Sequence, residues 1–163
     1  MAGQEDEGTC EYMMKQLIAV IGGRRTEKAL LLQAEEVGRL IARNGATLIC
    51  GGLGGVMEAA SRGAKSEGGL TVGILPQNDA KSANKYIDIP IVTGLGIGRN
   101  VIIARTADAL IAVGGEYGTL SEIAFALQME KPVVGIRTWD IKGIVRSDNA
   151  ADAVARVFEL LGS

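Results

Sequence analysis

The feature that most constrains the fold is an alternation: apolar runs of strand length are separated by stretches whose apolar residues recur at helical spacing. "QLIAVIG" (Gln16 to Gly22) leads into "TEKALLLQAEEVGRLIARNG", where Leu30, Ala34, Val37 and Ile41 share one helix face and Asn44-Gly45 ends it. The same pattern continues with strand "TLIC", helix "GVMEAASRGAKSEG" and strand "TVGILP". A polar loop "QNDAKSANKY" and an extended "IDIPIVTG" follow. Then come helix "RNVIIARTA", strand "ALIAVGG", helix "GTLSEIAFALQMEK", strand "PVVGIR" and a helix from about Asn149 to Leu161. Strands apolar on both faces and separated by helices predict an α/β fold, with a doubly wound, mainly parallel sheet covered on both sides by helices. Pro76, Pro90 and Pro132 fall at strand starts or ends, where a missing N–H is tolerated.

The chain has 163 residues, 47% of them hydrophobic, which suits one domain with a sizeable core over residues 15–163. The acidic, polar stretch 1–14 reads as a disordered tail. It lacks the basic start and apolar middle of a secretory signal, and no apolar run is long enough for a membrane span, so a cytoplasmic protein without a membrane partner is expected. A net charge of -2 offers no basic field for a polynucleotide, whereas a small anion stays compatible with it. With no histidine in the chain, Ser-His-Asp catalysis and histidine-ligated zinc are excluded. Cys10 and Cys50 have no metal-ligand spacing, and no metal site is expected.

In such sheets ligands bind beyond the carboxyl ends of the strands, where the strand order reverses. Four segments fall on that rim: "GGRR", "CGGLGGVME", "TGLGIGRN" and "VGGEYGTLSE". Glycines let a ligand approach the backbone, and the helix that follows offers unpaired N–H groups to a phosphate. The candidate phosphate contacts are Gly51, Gly52, Gly54 and Gly55 in one loop and Gly114, Gly115, Gly118 and Thr119 in the other. Neither loop matches the GxGxxG or GxxxxGK[ST] fingerprint. Thr119 and Glu122 also fit a capping box, with Thr119 as N-cap and Glu122 as its partner three residues on. Arg99 opens a predicted helix, where the dipole disfavours a cation unless an anion is present; a solvated surface arginine is the alternative. Arg24 and Arg25 are within reach of the same rim, or form a solvated pair.

Taken in order, "CGGLGGVMEAASRGA", "TGLGIGRN" and "VGGEYGTLSE" resemble the Rossmann-like LOG family, whose members long carried a lysine decarboxylase label. Within it they resemble the branch related to molybdenum cofactor carriers. The likeness spans about Lys15 to Arg137. In LOG enzymes a PGGxGTxxE loop binds the phosphate of a nucleoside monophosphate, and its glutamate acts with an upstream arginine on the N-ribosidic bond. The resemblance thus implies Gly115, Gly118 and Thr119 as phosphate contacts and Arg99 with Glu122 as the catalytic pair, if the chain is an enzyme. This sequence departs from the enzyme pattern: Gly114 replaces the proline, Glu116 a glycine, Asn100 a lysine and Glu58 another glycine. The "GGxxGTLSE" and "GLGxxRN" forms resemble the carrier branch instead.

Two functions follow from the resemblance. One is binding of a phosphorylated nucleotide-like ligand, as a carrier or store of molybdenum cofactor. The other is a nucleoside 5'-monophosphate phosphoribohydrolase. Neither requires a cofactor for chemistry, although a molybdenum cofactor or nucleoside monophosphate would be bound. No lysine setting suggests a Schiff base with pyridoxal phosphate. The apolar excess of the "RNVIIARTA" and "GTLSEIAFALQM" helices, with the family's dimers, implies a homodimer or higher homo-oligomer.

Overall fold

A computed structural model describes residues 14–162, so the expected tail lies almost wholly outside the described residues. Seven strands form one sheet: β1 (Leu17–Gly22), β2 (Thr47–Cys50), β3 (Thr71–Leu75), β4 (Ile89–Val92), β5 (Ala109–Val113), β6 (Val133–Ile136) and β7 (Val145–Ser147). Five helices connect or flank them: α1 (Lys28–Arg43), α2 (Val56–Ser66), α3 (Asn100–Thr106), α4 (Tyr117–Gln128) and α5 (Ala150–Leu160). Every strand pairing is parallel. The three-residue β7 was not expected from sequence; "VRS" is too short and polar to give a strand signal.

Parallel strands need both faces covered, and β1 illustrates how the sequence meets that need. Ile18 and Val20 point into the layer containing α1, α2 and α5, while Ala19 and Ile21 point into the layer containing α3 and α4. In the first layer α1 buries Leu30, Ala34, Val37 and Ile41, the stripe read from its periodicity. In the second, Ile103 of α3 and Ile123 of α4 are completely buried against the sheet.

The strand order β4-β3-β2-β1-β5-β6-β7 places the site. The chain winds outward from β1 to β4, then returns to lay β5 on the other side of β1. The connections leaving β1 and β5 therefore diverge to opposite faces, opening a crevice at their carboxyl ends. The start of α2 and the 3-10 turn Gly96–Arg99 complete its walls.

Candidate anion-binding site

A cavity of about 730 Å³ occupies this crevice. Its wall includes Gly22 to Arg25 after β1, Met57 at the start of α2, Pro76 after β3, and Gly96, Ile97, Arg99 and Asn100 before and within α3. Glu116, Gly118, Thr119 and Glu122 complete it from α4.

The start of α4 differs from the capping-box expectation. The helix begins at Tyr117, so Thr119 is its third residue and Glu122 lies in the second turn; Glu116 occupies the N-cap position without a side-chain cap. Gly114 and Gly115, at φ +57° and +114°, let the backbone enter the helix early, so neither Thr119 nor Glu122 caps it. Both are buried, and neither side chain has a hydrogen-bond partner among the described residues. The first-turn N–H groups of α4 and the Thr119 hydroxyl are thereby left for a ligand.

Glycines of the two loops do different things. A Cβ on Gly118 would meet nothing within 4 Å, and the residue is exposed on the cavity wall. Gly115 is packed by its own helix, since its Cβ would lie 2.5 Å from the Thr119 Cβ. Gly114 is buried against Leu30. In the loop after β2, Gly51 leaves room for the Arg99 guanidinium, 2.6 Å from where its Cβ would stand. A Cβ on Gly52 would press on Leu75, and one on Gly55 would collide with the backbone of Gly23 and Arg24. None of Gly51, Gly52, Gly54 and Gly55 lines the large cavity; Gly54 lines a smaller neighbour.

Arg99 is only 8% exposed. Its Nε donates to Ile74 O at 2.8 Å, one Nη donates to Asn100 Oδ1, and the other stands 3.5 Å from Gly51 O. Burial lowers the Arg99 pKa from the ordinary arginine value, and Glu122 opposes that shift. Burial raises Glu122 to about 8 despite the attraction of Arg99. No direct ion pair joins the two. At neutral pH the free site therefore holds an arginine cation beside a mostly protonated carboxyl group.

Asn100, counted from sequence only as a departure, is a structural centre of the site. It is 3% exposed, accepts from Arg99, and its amide donates to Ser121 Oγ at 3.0 Å. It thus ties the guanidinium to the first turn of α4. A short amide next to a charged residue at a helix start was the available signal. Arg24 and Arg25 do reach the cavity, both exposed. Glu116 is exposed on its wall, and Glu58 stands outside it.

Among the described residues no helix is long and apolar enough to cross a membrane, and no cluster of three or more His, Cys, Asp or Glu could hold a metal ion. The chain is similar to the molybdenum cofactor binding protein of Rippkaea orientalis, with a TM-score of 0.87 and 36% identity, covering 91% of this chain and 99% of that one. It is similar also to the molybdenum cofactor carrier protein of Chlamydomonas reinhardtii, with a TM-score of 0.83 and 38% identity over 91% of this chain and all of the other. A cytokinin riboside 5'-monophosphate phosphoribohydrolase of Mycobacterium tuberculosis is 36% identical over 124 residues, 70% of this chain and 66% of the enzyme. The likeness to the LOG enzymes thus holds in sequence, and that to the cofactor carriers in sequence and in fold. Matched by its family model over residues 15–159, the chain belongs to the SLOG cluster4 family.

Proposed function

We propose that the chain binds a phosphorylated, nucleotide-like ligand in this crevice and serves as a carrier or store of molybdenum cofactor. The observation that carries the reading is a cationic wall: Arg24, Arg25 and Arg99 all line the cavity, none forms an ion pair among the described residues, and they outnumber the two carboxyl groups, Glu116 and Glu122, in the same lining. An anion that neutralises them also meets the uncapped start of α4, with Gly118 leaving the approach open. The volume lies within the roughly 300–1,000 Å³ of small-molecule sites. The chain would hold the phosphate end, where the arginines and the start of α4 converge on the cavity. Similarity to two proteins described as binding or carrying molybdenum cofactor supports this ligand.

The second reading is phosphoribohydrolase activity, and Glu122 is the observation that favours it. A buried carboxyl with a raised pKa beside an arginine in a cleft is a common catalytic arrangement. Activation of water, however, requires the carboxylate form, which is the minor one here below pH about 8. That and the substitutions Glu116 and Asn100 place binding first.

We retain a cytoplasmic setting and a homo-oligomer in this proposal. Ile97 is 86% exposed, Tyr117 81% and Phe125 39% along α4 and the turn before α3, an apolar surface that a second copy would cover. A monomer mass by light scattering would remove that part.

The test incubates the pure protein with a panel of nucleoside 5'-monophosphates, with free base followed by chromatography and ligand-induced thermal stabilisation measured in parallel. Stabilisation without base release supports the binding reading, and loading with molybdenum cofactor should then protect the cofactor from oxidation. Base release that disappears in Glu122→Gln would install the enzyme instead.

A further inference from the structure

A second cavity, of about 320 Å³, lies beside the first and is not needed by a mononucleotide, for which the larger cavity is already sufficient. The two share walls. Arg24 lines both, and the consecutive residues Pro76 and Gln77 face one cavity each.

The smaller cavity is polar throughout apart from Leu53, with Gly54, Gln77, Ser82 and Asn84 as its other walls. Asn84 is locked: its amide donates to Leu53 O at 2.9 Å and its Oδ1 accepts from Tyr86 N at 3.0 Å. That clamp joins the loop after β2 to the loop after β3 and fixes the shape between them. The Gln77 amide and Ser82 hydroxyl, by contrast, have no hydrogen-bond partner among the described residues. Arg24 supplies the only charge in the lining, and it stands at the junction. No carboxylate belongs to that lining; Glu58 Oε2 stands 3.9 Å from where a Gly54 Cβ would be. A cation at the shared wall with neutral polar side chains beyond it suits a phosphoryl group at the junction and a neutral, hydrogen-bonding group in the smaller cavity.

We propose that the site takes a two-armed, pyrophosphate-linked ligand, one arm in each cavity, with Arg24 on the linkage and the smaller cavity receiving a sugar- or base-like arm. This rests on the reading of the larger cavity as a phosphate-ligand site. The ligand class is then a dinucleotide-type molecule in preference to a mononucleotide.

Calorimetric titration with AMP, ADP and ADP-ribose tests it. ADP adds charge without a second arm, and ADP-ribose adds both. The expected result is ADP-ribose binding about tenfold or more tighter than AMP, with ADP falling short of that gain. Ser82→Trp, which fills the smaller cavity, should abolish the gain and preserve AMP affinity. Gln77→Trp, at an exposed position, provides the same obstruction should Ser82→Trp fail to fold. ADP-ribose binding no tighter than AMP, a gain fully reproduced by ADP, or a gain that survives both substitutions would overturn the second arm and leave the larger site standing. Failure of all three ligands to bind would overturn the phosphate-site reading together with this one.

Discussion

Two glycine-rich loops look alike in sequence and behave differently in the molecule. The loop before α4 keeps Gly118 open on the cavity wall and leaves the helix start uncapped. The loop before α2 spends its glycines on packing: Gly51 against Arg99, Gly52 against Leu75, Gly55 against the backbone after β1. Glycine allows close approach, and only the three-dimensional neighbour decides whether a ligand or the protein itself makes that approach.

The sharpest break of this comparison is Gly55→Ala. Its φ is +70°, and the new Cβ would stand 2.5 Å from the Arg24 carbonyl carbon, an atom that no rotamer change can move. We expect a loss of about 4 kcal/mol or failure to fold, read by urea unfolding. A loss below about 1 kcal/mol would show that the loop relaxes and would blur the distinction between the two loops.

Glu122→Gln sharpens the comparison from the side of the open loop. The folded protein holds the Glu122 proton up to pH about 8, whereas the unfolded chain releases it near the ordinary value of 4.5. The associated stability is complete below pH 4.5 and falls as pH rises toward about 8. The loss is of the order of 3 kcal/mol, at about 1.4 kcal/mol for each pH unit and allowing for relaxation. Because the chain contains no histidine, no imidazole titration overlies that window. The wild type should therefore lose stability between pH 5 and 8 in denaturant titrations, and the glutamine variant should show a flatter profile. Identical slopes would mean that Glu122 is solvated in the free protein.

Arg99→Ala should weaken binding of phosphorylated ligands by about thirtyfold, or about 2 kcal/mol, the usual scale for a charge-assisted hydrogen bond. Calorimetry with a mononucleotide measures it, after far-UV dichroism has verified the fold. Unchanged affinity would remove Arg99 from the site and leave the anion to Arg24, Arg25 and the helix start.

The architecture was legible because its determinants are periodic. β1, β2, β3, β5 and β6 announce themselves as apolar runs buried on both faces, and α1 announces its buried stripe. The rim loops followed from the topology. What escaped was local: the entry point of α4 depended on the backbone path through Gly114 and Gly115, which a T-x-x-E pattern does not encode. Asn100 escaped because its role is relational, joining Arg99 to Ser121 across two helices that sequence does not place in contact. Which glycines face a ligand was hidden for the same reason, as Gly51 is explained by Met57 together with an arginine that lies 48 positions away.

Gly118→Ala carries the smallest expected effect and isolates the open loop from stability altogether. The position lies within α4, a Cβ there meets nothing within 4 Å, and its φ is not among the positive ones. Alanine at a helical glycine stabilises by up to about 1 kcal/mol, so Tm should hold or rise slightly. The same methyl group would occupy the space through which a phosphate reaches the first-turn N–H groups, and affinity for a mononucleotide should fall about tenfold, by about 1.4 kcal/mol. Opposite signs for stability and affinity at Gly118, set against a stability loss at Gly55, are what separate a glycine kept for a ligand from one kept for packing. Equal affinity in Gly118→Ala would place the phosphate elsewhere on the cationic wall.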